Sequence, residues 1–313
     1  MLRYRSDWRT LINVMIYFVV AVMPWLLWPG LSKLQVFLWV VANCLMSFIC
    51  ATIVHNTIHV PIFTKRWMNR VFQVVLSFCY GHSTSAYVPG HNFSHHHYVQ
   101  TPKDAIRTTK ARFRFNLLNQ LFFFYLMSGD ILKGELRFAA RMRQEKPHWF
   151  RQYLFEMILV NVVKIALLFY NWKCFVLFIF IPHQYAAWGI VGTNFFQHDG
   201  CDETHPYNHS RTFTGGFLNW LLFNNGYHGA HHMRPNLHWS RYPEFHEQEI
   251  APHLHPSLNR RSLLAYLIEA HIYPGKRVDY LGRPLVLPPE TADEDWVAPV
   301  RIDRHETDLG GVA

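Results

Sequence analysis

The sequence predicts an all-α integral membrane protein: four transmembrane helices in two hairpins, with a cytoplasmic histidine-rich helical cap. Three observations carry that expectation. Four long runs are almost free of charge, they come in pairs joined by short turns, and dense histidine clusters follow each pair. Half of the 313 residues are hydrophobic, yet mean hydropathy is −0.02. Membrane spans alternating with polar, basic segments produce that average.

The first pair is 11–28 and 34–54, joined by a turn through Pro29, Gly30 and Lys33. Each run can cross a hydrocarbon core of about 30 Å at about 1.5 Å per residue. The N-terminus has basic residues before its apolar run but no small-residue cleavage site, so the first run reads as a retained span. The second pair is 157–172 and 174–197, with Lys164 as a charge that must snorkel or find a partner. Four crossings return the chain to its starting face.

Between the pairs, 61–153 carries 14 Lys and Arg against 4 Asp and Glu. If the apolar stretch Phe115–Met127 crossed the bilayer, Lys133, Arg137, Arg141 and Arg143 would lie outside. The positive-inside bias opposes that, so this stretch is expected to lie in the interface. The net charge of +9 has the same origin, and no nucleic-acid partner is expected. Both termini and every histidine cluster then fall on the cytoplasmic side. Thr212–Asn225 is expected against the membrane, and 290–313 as a flexible tail on a single domain spanning 1–313.

Five cysteines show no CxxC pairing, so neither a cysteine metal site nor a disulfide framework is indicated. The histidines are different. His55 and His59 are four apart, on one helical face. His91, His95 and His96 form a second group, His228, His231 and His232 a third, and His198 follows Asn194. Imidazole is the commonest neutral metal ligand. Nine such residues exceed what one four-coordinate metal needs, so two metals are indicated. Adjacent histidines on a helix diverge by about 100°, which lets them serve two metals side by side. Nitrogen ligands without thiolates suit iron, zinc or copper. Asp104, Asp199, Asp202 and Glu203, with His97, His205, His209 and His238, stand beside the clusters as candidates for orienting ligand rings or as solvated loop residues. His82, His148, His183, His246, His253, His255, His271 and His305 read as interfacial or hydrogen-bonded residues.

HxxxH, HxxxHH, NxxxH and HxxHH in this order, spaced by the two hairpins, resemble the membrane fatty acid desaturase superfamily over roughly His55 to Trp239. The resemblance implies three histidine boxes (His55 and His59; His91, His95 and His96; His228, His231 and His232) around two iron ions. It also implies His198 as a further ligand and Asn194 as a residue reaching a metal through water. Box one has a three-residue gap and box two an HxxxHH form, which differ from the usual acyl-CoA desaturase pattern. The expected reaction is O₂-dependent desaturation of a fatty acid, acyl thioester or lipid. The same hydrogen abstraction leads alternatively to hydroxylation, or to decarboxylation giving a terminal alkene. No haem-binding His-Pro-Gly-Gly signature or rubredoxin-like cysteine set is present, so an external electron donor is expected: a ferredoxin, rubredoxin or small cytochrome with its reductase. Two other classes have different requirements. A metal transporter would place its ligands at the bilayer midplane, and a zinc hydrolase would need a glutamate base such as HExxH supplies.

Overall fold

Ser32 starts the second long helix with a reciprocal cap. Its Oγ accepts from Gln35 N at 3.3 Å, and Gln35 Oε1 accepts from Ser32 N at 2.8 Å. In the computed structural model, which describes residues 1–298, the long helices are α1 (Trp8–Leu27), α2 (Lys33–His59), α3 (Arg66–Tyr80), α4 (Asn116–Glu145), α5 (Pro147–Tyr170) and α6 (Ile181–His198). A helical turn and a π-helical stretch, Val176–Phe180, lead into α6. Among the described residues four helices are long and apolar enough to cross a membrane: Arg5–Leu27, Lys33–His59, Pro147–Tyr170 and Trp172–His198.

Three boundaries differ from the expectation. α2 does not stop at Val54, because nothing breaks the backbone ladder before Pro61, and Val60 N still donates to Asn56 O at 3.0 Å. His55 and His59 therefore belong to the helix itself. The helix of the third span, α5, begins ten residues early, at Pro147, where proline's missing N–H costs nothing. The stretch expected as a short interfacial helix, Phe115–Met127, runs from just before α4 into its opening part, and α4 is 30 residues long.

The chain divides into two compact units interleaved in sequence. Among the described residues, one comprises Met1–Pro89 and Arg137–Ile190; the other holds Gly90–Leu136 and residues 191–298. In the first, α1 and α2 pack along one another, with Asn43 Nδ2 donating to Val20 O at 3.3 Å. Lys164 does find a partner: its ammonium donates to the Gly81 carbonyl. The buried Glu156 accepts from Ser83 Oγ, the Ser85 amide and Gln152 Nε2 at 2.7, 2.9 and 2.8 Å, which satisfies its carboxylate inside the unit. On α5, Ile158, Val162, Ile165 and Phe169 are exposed at helical spacing, as a lipid-facing stripe requires.

The second unit is organised on a small apolar core of Ile106, Ala111, Phe123, Met127 and Phe195. The only strands among the described residues are β1 (Thr212–Phe213) and β2 (Asn259–Arg260), paired in parallel. Its short helices include α7 (Gly216–Leu221), α8 (His228–Met233) and α9 (Leu263–His271). α7 carries the exposed Phe217 and Trp220 of the segment expected to face the membrane. The chain then runs back past Asp199 and the 100–112 loop. Arg277 forms an ion pair with both Asp199 oxygens and donates to the carbonyls of Ala111 and Thr108. Further on, Asp293 pairs with Arg107 and Lys110, and Trp296 and Val297 are buried. So 290–298, expected within a flexible tail, is held in place. His305 and the rest of that tail lie outside the described residues.

Candidate metal centre

Box two lies on a π-helical turn, Pro89–His95, that continues as a short α-turn through His96. A π-turn closes its hydrogen bonds at i→i+5. His91 and His96 are five apart, and this wider turn brings them to the same side. Their Nε2 atoms are 3.1 Å apart. His231 of α8 joins them, its Nε2 lying 2.8 Å from that of His96.

The second histidine group is distinct. Nε2 of His198 is 2.7 Å from that of His228 and 3.1 Å from that of His232. His228 and His232 are 3.0 Å apart, and His95 and His232 are 3.2 Å apart. His95, His198, His228 and His232 thus converge through one nitrogen each. The groups adjoin: the His96 and His232 rings stack with centroids 4.4 Å apart. Neighbours in sequence separate as helical geometry requires, with His95 and His232 in one group and His96 and His231 in the other.

Three of these rings are oriented through the opposite nitrogen. Asp104, fully buried, accepts from His95 Nδ1 at 3.0 Å. The same carboxylate accepts from the backbone N–H groups of Gln100 and Ile106, each at 2.9 Å. His198 Nδ1 donates to the His209 carbonyl at 3.0 Å, and His231 Nδ1 lies 3.1 Å from the Tyr242 hydroxyl. A proton on Nδ1 leaves the Nε2 lone pair free for a metal. Burial raises the Tyr242 hydroxyl well above the ordinary tyrosine value, so it stays protonated. Burial, and then the nearby rings of His96, His228, His198 and His95, hold His232 well below the ordinary histidine value. It is neutral at pH 7, the form a metal needs.

The donor set fits a metal. Bonds of about 2.0–2.1 Å to four tetrahedral nitrogens separate those nitrogens by about 3.3 Å, close to the spacings observed. The set holds only imidazole nitrogen, which suits iron, zinc or copper and not calcium or magnesium. Backbone geometry makes room for it: a Cβ on Gly226 would meet the Phe213 carbonyl at 2.3 Å, so only glycine admits this approach to α8.

The remaining expected residues have partners of their own. Asp199 orients no imidazole; its side chain turns to Arg277. His238 accepts from the Ser240 amide at 3.3 Å, capping a short helical turn, and its Nδ1 lies 2.8 Å from Ser240 Oγ. His97 is exposed, with its ring against Phe93. Asn194 is buried and donates to Ile106 O at 2.9 Å. His55 and His59 are buried in the first unit with ring centroids 5.9 Å apart. Tyr242 carries no expectation of an orienting role, and His209, a candidate, acts through its backbone carbonyl. The only sequence signal was the closeness of His209 to His198.

The family model that matches the chain is that of the fatty acid desaturases, over residues 34–262, a stretch containing all nine clustered histidines. No curated protein matches the chain.

Proposed function

Because the chain belongs to the fatty acid desaturase family, we propose that it is a di-iron enzyme performing O₂-dependent desaturation of a fatty acid or fatty acyl chain. Family membership makes it a membrane oxidoreductase with a fatty acid or lipid substrate. The convergence of seven imidazoles into two adjoining Nε2 groups is the observation that supports the di-iron reading. In this reading His95, His198, His228 and His232 hold one iron. His91, His96 and His231 hold the other, with His55 and His59 completing the ligand set. Asn194, whose amide N–H is committed to Ile106 O, would hold a water through its carbonyl oxygen.

Bound there, two irons would supply O₂ activation and the removal of hydrogen from an unactivated C–H bond. The chain's own part is orientation. Asp104, the His209 carbonyl and Tyr242 each keep a proton on the Nδ1 of the ring they touch, which fixes tautomer and ring plane. Burial of the rings keeps water from the reacting carbon and keeps the imidazoles neutral. Electrons would come from a separate ferredoxin, rubredoxin or small cytochrome with its reductase. In this reading the centre and both termini lie on the cytoplasmic side, because the positive-inside bias assigns the basic segment 61–153 there.

The test is turnover of the iron-loaded protein in lipid nanodiscs, with donor and reductase, on fatty acids and thioesters of several lengths. Products are read by gas chromatography–mass spectrometry. An internal alkene formed only with O₂ is expected. An alcohol or a terminal alkene would redirect the outcome to hydroxylation or decarboxylation. The absence of any O₂-dependent lipid product would overturn the oxidation altogether.

A further inference from the structure

The residues beyond the family-matched stretch do something specific to the loop that carries Asp104. Arg107 donates to Asp293 at 2.5 Å and to the Thr291 carbonyl at 2.7 Å. Lys110 reaches Asp293 at 2.6 Å, and Arg112 donates to Pro288 O at 2.6 Å. The Glu294 amide donates to Pro102 O at 3.0 Å, the carbonyl that also accepts from Arg107 at 3.0 Å. Just beyond, Trp296 is buried against Gly134, where a Cβ would meet its ring at 2.7 Å. An acidic segment thus lies on a basic loop and is anchored by a tryptophan at its far end.

The loop between Gln100 and Arg107 has no regular helix or strand to fix its shape. Asp104 is nevertheless held by two of its backbone N–H groups, from Gln100 and Ile106. The His95 ring is aimed by Asp104 in turn. A site of this kind tolerates displacements of only about 0.5 Å.

We propose that residues 288–296 are a positioning strap: by clamping the 100–107 loop they hold Asp104 on His95, and so set the metal affinity of the group formed by His95, His198, His228 and His232. This rests on the metal-binding reading of that group. The strap acts through Pro102, Arg107 and the Asp104 carboxylate.

The test uses the full chain in detergent, with cobalt(II) as the probe metal, titrated against a competing chelator and followed by visible absorption. In D293A/W296A one of the two metal equivalents should bind about tenfold more weakly while the other is unchanged, the scale expected when a ligand's orienting partner is lost. Combined with Asp104→Ala, the losses should not add, because both act through one carboxylate. Asp293→Asn, which keeps the tryptophan anchor, should show a smaller loss of the same equivalent and serves if the double variant fails to fold. Unchanged affinity for both equivalents, equal weakening of both, or additive losses would each overturn the strap. If Asp104→Ala itself left both equivalents intact, the orienting role of Asp104 would fall, and the strap with it. A normal Asp104→Ala loss with indifferent strap variants would sink the strap alone.

Discussion

Asp104 and His95 form a carboxylate–imidazole pair, 3.0 Å from Oδ2 to Nδ1, in which neither side chain is exposed to solvent. The carboxylate is also tied to two backbone N–H groups, so its position is set by the chain and not by the histidine. Replacing it with asparagine keeps the shape but weakens the acceptor. Asp104→Asn is expected to lower affinity for one metal equivalent by about 10- to 100-fold, measured by chelator competition, with the other equivalent unaffected.

Tyr242 plays the same part for His231. Its hydroxyl lies 3.1 Å from Nδ1, and no charge assists that contact. Tyr242→Phe should therefore cost less than the loss of Asp104, about tenfold in affinity at most. The weakened equivalent should be the other one. Equal loss at both equivalents in chelator titrations would contradict the division of the histidines described above.

How much of this was legible beforehand follows from what each residue needs. The ligand candidates announce themselves because histidines three to five apart share a helix face, a local pattern. The spans were legible as runs without charge, but not their ends, since α2 keeps its ladder through polar residues as far as His59. Asp199 misled by adjacency: a side chain next to His198 in sequence points elsewhere, here to Arg277, 78 residues away. Tyr242 and the His209 carbonyl carry no signature, since one is an ordinary aromatic and the other is backbone. The π-turn at Pro89–His95 was equally silent; the HxxxHH spacing permits it without demanding it.

The core beneath the site should be sensitive to cavities. Phe123 is fully buried among Ile106, Ala111, Met127 and Phe195, with its ring 5.1 Å from that of Phe195. Phe123→Ala is expected to destabilise the protein by about 3–5 kcal/mol, read as a lowered midpoint of thermal unfolding in detergent. Because Ile106 N is bound to Asp104, metal affinity should fall as well.

Acid should destabilise the fold through His246, which is fully buried next to Tyr227. Burial lowers its pKa, against a smaller opposing effect of Glu247. Between its folded value and the ordinary value of about 6.5, the unfolded chain binds the extra proton. The stability contributed by the neutral ring is thus present above pH 6.5 and lost as pH falls toward the folded value. In His246→Gln the drop in unfolding temperature between pH 7.5 and 5.5 should be smaller than in the unmodified chain. An unchanged drop would remove His246 from the acid response.

Iron counting addresses the centre most directly. Protein loaded anaerobically with ferrous iron, desalted and assayed by mass spectrometry of the metal should hold two irons per chain. His95→Ala and His96→Ala should each hold about one, because those neighbouring rings belong to different groups. A single iron in the unmodified chain, or the same residual metal site in both variants by Mössbauer spectroscopy, would contradict a two-iron centre.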